Sequence, residues 1–581
     1  MILQELVKYY ETLARNGKTA LPGWCSAKVS YIIRLNSKGK IEGIIPAQKE
    51  IERGKKTIWV ADVKLVPLME GRSSTKIVPN FLCDNSKYML GIDGEGCSEK
   101  TIKRFEAAKE KHLSILKNAK GEAGSAVKAF FEAWDPKKAK EDNWIKQTYK
   151  EVTDGGNLIF EVGGEEVQED EEIRLIWDEY QKEKEKNSEE GEKRVCLVTG
   201  ERTEIARIHP LIKGLQGAQS SGAALVSFNA PAFESYEMSQ SYNAAVGTYA
   251  AFAYTTALNY LLSQRKYVFQ CCDTTIFFWA ENGKEEYQQV FLWSVERNED
   301  NTEKIREVFE RIREGKQVKM DKLELDPEQP FYIAGLAANA ARISVQFFYQ
   351  NSFGKILSNI EKHYERMKIV RPKGEEREYV GLWRMINETV NQKAKDKKPA
   401  KNLPPAVFQA VLNDTRYPQS LYSQILLRIR AEQGRVTWGR AAAIKAFQIK
   451  NYHMEEGMYM ELNGKNERKE QAQILGRVFA VLEAIQETSA DGKLNTTIRD
   501  RYFNAACANP ATVFPILMKL KNSHMRKLGR DKEGLKIKYE KQLTDLLGKL
   551  DECPRQLNLE EQGRFILGYY HQTQKRYEKK A

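Results

Sequence analysis

The sequence predicts an α+β protein in which mixed antiparallel-sheet/helix N-terminal and central regions lead into a C-terminal α-helical bundle. Two patterns carry that prediction. Between Ala27 and Pro67, short runs rich in β-branched and aromatic residues alternate with glycine-containing turns, the signature of an antiparallel sheet. From Gln471 to Tyr577, apolar residues recur three and four positions apart in five successive stretches, the period of helices that bury one face. The 581 residues exceed what one core holds, so several domains are expected.

The N-terminal MILQELVKYYETLARN reads as an amphipathic helix with charges throughout, not as a signal peptide. Ala27–Leu35, Ile41–Ala47 and Lys56–Pro67 are expected strands. Lys28, with Arg34, Lys38 and Lys40, falls on or near that sheet, and Arg72, Ser73, Ser74 and Lys76 form a polar basic loop. Either group offers contacts to DNA, although lysines guarding a sheet edge are the commoner reason for such a pattern. Thr101–Lys117 and Gly124–Trp134 are expected helices and Asn157–Val162 a strand. Residues 165–193 are charge-dense with one apolar patch, Ile173–Trp177, and read as an exposed helix or connector. The first domain, mixed α/β, is placed at residues 1–193.

A central α/β domain is expected over 194–395. Between Lys213 and Ala224, Gly214, Gly217 and Gly222 stand among Gln216, Gln219, Ser220 and Ser221. Glycine allows positive φ and close backbone approach, and the short polar side chains both donate and accept. Such a loop can follow a phosphate backbone or read base edges, although an ordinary surface turn between two strands is the commoner reason for such a composition. Leu225–Asn229 reads as a strand broken at Pro231. A helix is expected from Asn243 as N-cap, with Val246, Ala250, Ala253, Ala257, Leu258 and Leu261 on one face. Val268–Trp279 reads as one buried strand, Thr302–Glu314 as a helix, and Phe331–Gln350 as a strand running into a helix that contains Arg342.

After the linker-like Lys393–Pro405, residues 396–459 form an arginine-rich helical connector. There Arg428, Arg430, Arg435 and Arg440, with Arg416 and Lys445, accompany apolar residues at helical spacing. Arginine bridges phosphates as well as attracting them, but a solvated helical face has the same composition. Residues 460–581 are the expected bundle, with 23 Lys/Arg against 16 Asp/Glu. More than half of the net charge of +12 therefore sits in the last fifth of the chain. A basic chain is attracted to polyanions, with an affinity that weakens as salt rises.

Chemistry of other kinds finds little support. GEGCSEKT (94–101) nearly matches a phosphate-binding loop, but Glu99 stands where the last glycine belongs and would set a carboxylate against phosphate. The six histidines are scattered, the eight cysteines contain no C-x-x-C pair, and no G-x-S-x-G elbow occurs. No catalytic residue, metal or cofactor is expected, and the cysteines read as free thiols of a cytoplasmic protein. A nuclease would need a carboxylate cluster for metal that the sequence does not display. A scaffold that binds only protein would show no affinity for DNA at low salt.

The runs CLVTGE (196–201), IARIHPLIKG (205–214), GAQSSGAALVSFNAPAFESY (217–236) and NAAVGTYAAFAYTTALNYLL (243–262) resemble the large subunit of the subtype I-C CRISPR interference complex, Cascade. LPGWCSAKVSYII, VPNFLCDNSKYMLG, FYIAGLAANAARISVQFF, RYPQSLYSQILLRIR and TIRDRYFNAACANPATVFP extend the resemblance, in order, over nearly the whole chain. Where the family usually carries glycine after Ser235-Tyr236, this chain has Glu237, which puts that turn in question. The resemblance implies a non-catalytic subunit bound to CRISPR RNA and target double-stranded DNA. It would sit beside backbone, crRNA-processing and small subunits, read the protospacer-adjacent motif, promote R-loop formation and recruit a helicase-nuclease. The residues offered for DNA are Lys213, Gln216, Gln219, Ser220 and Ser221, with Asn229, Tyr242 and Asn243, then Lys28 and Arg72, then the four arginines from Arg428 to Arg440.

The family also implies a second product. Glu455-Glu456-Gly457 must be encoded by GAR-GAR-GGN, which can spell a ribosome-binding sequence ahead of Met458 and Met460. Initiation at Met460 would release the 122-residue bundle as a separate small subunit.

Overall fold

The computed structural model describes residues 1–53, 56–70, 77–187, 193–271, 273–295, 302–313, 318–320, 323–455, 468–490 and 494–576. Arg72 and the Met458–Met460 segment lie outside the described residues. The chain is α+β, as expected, and divides into two compact units, residues 1–210 with 226–258 and residues 211–225 with 259–581.

The first unit opens with α1 (Ile2–Arg15), which buries Leu6, Tyr9, Tyr10 and Leu13 on one face. Four strands follow, β1 (Trp24–Leu35), β2 (Ile41–Pro46), β3 (Gln48–Arg53) and β4 (Lys56–Pro67), all joined antiparallel. After β5 (Asp84–Asn85) come α2 (Ser86–Met89), α3 (Glu99–Ile115), α4 (Glu122–Ala133) and α5 (Asn143–Thr153). The chain then re-enters the sheet as β6 (Asn157–Val162), followed by β7 (Glu165–Glu166). β6 runs parallel to β1, so the seven-stranded sheet is mixed, not purely antiparallel. The physical reason is the connection: the helices between β5 and β6 supply the long crossover that a parallel pair requires.

The GEGCSEKT segment ends in a helix cap. Ser98 Oγ accepts the Thr101 amide at 3.2 Å while Thr101 Oγ1 accepts the Ser98 amide at 2.9 Å, which satisfies two amides at the start of α3. Further on, α6 (Glu171–Asn187) is a helix whose apolar patch is an anchor. Ile173 and Trp177 are buried, and the Trp177 ring stacks on Phe81 at 5.1 Å and donates its N–H to Gly23 O at 2.7 Å. The hairpin of β8 (Lys193–Val195) and β9 (Arg202–Glu204) follows.

Residues 225–229 form no strand, and α7 (Thr248–Ser263) starts five residues after the expected cap. Asn243 is already committed elsewhere. Its Oδ1 accepts the Ser235 amide at 2.7 Å, and its Nδ2 donates to Met238 O at 2.6 Å and Gln240 O at 2.8 Å. An amide stapled to the preceding turn cannot cap the next helix. The apolar positions read from the sequence, Val246, Ala250, Ala253, Ala257, Leu258 and Leu261, are all buried.

In the second unit, β10 (Val268–Cys271) and β11 (Thr274–Ala280) form a hairpin where one strand was expected. α8 (Glu285–Val295), α9 (Thr302–Arg313) and the small hairpin β12 (Val318–Met320) and β13 (Leu323–Leu325) lead to β14 (Pro330–Asn339) and β15 (Arg342–Ser352). These last two make a hairpin in a sheet ordered β10-β11-β14-β15, so the helix expected around Arg342 does not form. The alanines of 334–341 favour a helix intrinsically, but β11, buried at every residue, offers β14 a full antiparallel partner.

Helices complete this unit: α10 (Phe353–Met367), α11 (Leu382–Asn387), α12 (Leu403–Asn413), α13 (Gln419–Ala431), α14 (Trp438–Tyr452), α15 (Arg468–Ser489), α16 (Ile498–Ala508), α17 (Pro510–Asp531), α18 (Glu533–Leu547) and α19 (Leu559–Lys575). One continuous core runs from Tyr267 to Tyr570. α15 and α19 cross closely, because Gly476 faces the Phe565 carbonyl and Gly568 the Gln473 carbonyl with no room for a Cβ. Among the described residues, no helix is long and apolar enough to cross a membrane.

Candidate nucleic-acid interface

The glycine-rich loop belongs to the second unit and is held by backbone bonds. Ile212 and Ala223 exchange paired amide–carbonyl bonds of 2.9 Å that close its base. Asn259 on α7 fixes the entry strand, accepting the Lys213 amide at 2.8 Å and donating to Leu211 O at 3.2 Å. The far side is clamped to the tip of the β14–β15 hairpin. Ala340 donates to Gly217 O at 3.0 Å, Gln219 donates to Ala340 O at 3.1 Å, and Ala224 donates to Ala341 O at 2.9 Å.

This geometry decides what the loop can offer. The amides of Lys213, Gln219 and Ala224 are spent on protein acceptors, so they do not form a phosphate-binding nest. The loop also presents polar side chains. Lys213, Gln216, Gln219, Ser220 and Ser221 are all exposed, and none has a side-chain partner among the described residues. A rigid backbone carrying unpartnered amide, hydroxyl and ammonium groups suits edge recognition, since Gln pairs with adenine and Lys with guanine.

The hairpin adds residues that the sequence alone did not associate with the loop. Arg342 begins β15 beside Ala224, and exposed Ser344 and Gln346 follow it, joined at 2.8 Å. The only sequence signal for them was a run that reads as helix.

The remaining central candidates lie in the first unit. Asn229 is exposed. Tyr242 is half-buried, with the guanidinium of Arg194 at 5.1 Å and that of Arg207 at 6.0 Å from its ring centre. With Asn243, it holds the preceding segment in shape rather than presenting itself. That segment makes a tight turn in which Met238 donates to Ser235 O at 3.0 Å, with Tyr236 at φ +53° and Glu237 at φ +57°. The turn forms with Glu237, not glycine, at a left-handed position, and it leaves Tyr236 92% exposed. Lys28 is exposed on β1 opposite Val63.

Cys196 and His209 have structural duties in the same unit. Cys196 Sγ accepts the amides of Gly247 at 3.2 Å and of Val198 and Thr199 at 3.4 Å. Burial pushes the thiol pKa up, but these bonds and the Thr199 hydroxyl outweigh it and hold the group below its usual range. His209 Nδ1 meets the Tyr254 hydroxyl at 2.7 Å, and burial pushes the imidazole down to about 4. Among the described residues, no three His, Cys, Asp or Glu side chains converge as a metal site.

The arginine cluster separates. Arg430 and Arg435 are exposed and Arg428 partly so, on and just after α13, although Arg430 also donates to Gln562 Oε1. Arg440 differs: it is 2% exposed, forks onto the Glu432 carboxylate at 2.9 and 3.0 Å, and donates to Arg435 O and Glu388 O. The Arg440 hydrogen bonds hold the Glu432 carboxyl below the usual carboxylate range. Arg440 was expected to touch phosphate; burial and this ion pair make it an internal cross-link instead.

Further basic residues emerge on α17 and α18. Residues 510–547 carry nine Lys/Arg against four Asp/Glu, and Lys519, Arg526, Arg530, Lys538 and Lys541 are exposed. The charge count pointed to the bundle, but only the helix pairing shows which basic residues reach its surface.

A family model described as CRISPR-associated protein (Cas_Csd1) matches residues 6–577. No curated protein matches the chain.

Proposed function

We propose, from the premise that this chain belongs to the CRISPR-associated Cas_Csd1 family, that it is the DNA-reading, non-catalytic large subunit of a subtype I-C RNA-guided surveillance complex. Family membership implies a CRISPR complex with other Cas proteins. In this reading guide–target pairing supplies the long sequence match, and the protein recognises the short protospacer-adjacent motif, promotes R-loop formation and recruits the helicase-nuclease.

The observation that carries it is the clamped loop, whose Lys213, Gln216, Gln219, Ser220 and Ser221 side chains are exposed and unpartnered on a backbone fixed by the β14–β15 hairpin. The exposed cations of α17 and α18 support a second contact, to phosphates of the displaced strand. Residues 1–193 and 194–395 then carry the duplex contacts, 396–459 connect, and 460–581 serve as a small-subunit-like bundle. The experiment is a salt titration of duplex and single-strand binding by the purified chain. A linear fall of log affinity with log salt is expected. Absence of binding at low salt would leave a scaffold that contacts protein alone.

The same reading includes the internal start. Met458→Leu/Met460→Leu should leave the full-length band on a denaturing gel and remove a 122-residue product. Persistence of the short band refutes a start at these positions.

A further inference from the structure

The bundle contains a polar cleft that the proposed function does not use. It lies among α15, α16, α18 and α19 and has a volume of about 190 Å3. Sites for drug-sized ligands occupy roughly 300–1,000 Å3, so this one admits a single small group. Glu483 lies at its base, 6% exposed, accepting the Tyr569 hydroxyl at 2.6 Å and Thr497 Oγ1 at 2.8 Å. Burial raises this carboxyl above its usual range, against the Tyr569 and Thr497 hydrogen bonds that lower it.

The lining offers three kinds of group. Lys538 and Lys575 are exposed at the cleft, and neither has an ion-pair partner among the described residues. Beside them, the Arg499 guanidinium is paired, lying 3.9 Å from Glu483 and 3.5 Å from Asp500. Gln542 and Gln572 line the wall with side-chain amides that make no hydrogen bond among the described residues. Tyr539 and Tyr569, both largely buried, are part of the wall. The other two charges of the lining, Glu487 and Arg576, pair with each other.

We propose that this cleft binds one unpaired nucleotide of single-stranded DNA, Lys538 and Lys575 taking its phosphate and Gln542 and Gln572 the edge of its base. The combination of unpaired cations and free amides around a small cleft with tyrosines in its wall is what such a unit requires. A site of this size accepts one base. The inference rests on the reading of the chain as a DNA-binding subunit, and it gives the bundle a specific pocket in addition to a charged surface.

The test uses the full-length chain and a short single strand carrying one 5-iododeoxyuridine. Photo-cross-links are expected at Tyr539 or Tyr569. Lys538→Ala/Lys575→Ala, both at exposed positions, should remove them and lower the slope of log affinity against log salt by about 0.7 per lysine. Gln542→Ala/Gln572→Ala should remove the cross-links while leaving that slope unchanged. A strand that binds with wild-type slope in the lysine variant and cross-links elsewhere overturns the pocket while sparing the DNA-binding reading. Excess mononucleotide that erases the cross-link without releasing the strand also overturns it, in favour of a free nucleotide. If no strand binds at low salt, the underlying reading fails and the pocket with it.

Discussion

The Gly217 carbonyl accepts the Ala340 amide at 3.0 Å, which ties the glycine-rich loop to the turn of a hairpin far away in sequence. Gly217 sits at φ +84°, and a Cβ there would stand 2.8 Å from the Ala338 carbonyl oxygen. Ala340 answers with a left-handed φ of +53°. Two unusual backbone conformations meet at one contact, and the polar side chains on either side inherit their positions from it.

Gly217→Ala should therefore lower stability by about 1–3 kcal/mol, the range for a strained left-handed residue with a steric conflict. It should also weaken duplex binding, because Gln216 and Gln219 flank the disturbed residue. A denaturant midpoint and a duplex titration on the same preparation check both.

His112 makes stability pH-dependent. Its Nε2 accepts the Leu82 amide at 2.9 Å and its Nδ1 lies 2.7 Å from Ala108 O, so the ring is the neutral Nδ1–H tautomer. Burial pushes its pKa down to about 3 from 6.5. A depressed histidine costs nothing above the unfolded pKa. As pH falls from 6.5 towards 3 the unfolded state takes a proton that the native state refuses, so stability is lost through that window and levels off below it. The loss amounts to roughly a few kcal/mol. His112→Gln should be less stable than the parent at pH 7 and should lose less on acidification, as read by midpoints across the window.

Arg440 separates folding from DNA contact. Arg440→Met leaves the Glu432 carboxylate without its fork and should cost about 3–5 kcal/mol. Its effect on the salt dependence of DNA binding should be nil. Arg435→Ala, at an exposed position, should do the reverse, with little change in stability.

Glu237 occupies a left-handed position that glycine adopts freely. Glu237→Gly should stabilise the protein by about 0.5–1 kcal/mol, less than the full penalty of a left-handed residue because glycine also loosens the unfolded chain. The shift in thermal midpoint is the readout, and a fall in stability would mean that the Glu237 side chain contributes a contact worth more than the strain.

Much of the architecture is legible in the sequence where one element buries one face. The stripe from Ile474 to Ile485 and the alanines of α7 are buried as their spacing requires. The errors arise where distant pairing overrides local preference. The alanine-rich run 334–341 reads as helix until β11 is placed beside it. Asn243 reads as a cap until Ser235, Met238 and Gln240 claim its amide. For the candidate site, the loop residues are visible as a cluster, but the β14–β15 clamp and the adjacent Arg342 are not. Charge alone did not distinguish Arg440, neutralised inside by Glu432, from Arg435 at the surface.

The most direct measurement is binding of the reconstituted RNA-guided complex to duplexes with randomised flanking motifs, comparing the parent with Gln216→Ala/Gln219→Ala. Both side chains are exposed and make no contact that the fold depends on. The account predicts that the variant loses motif preference while guide-dependent binding to pre-opened DNA is retained. An unchanged motif preference would contradict it and return the glycine-rich loop to a purely structural role.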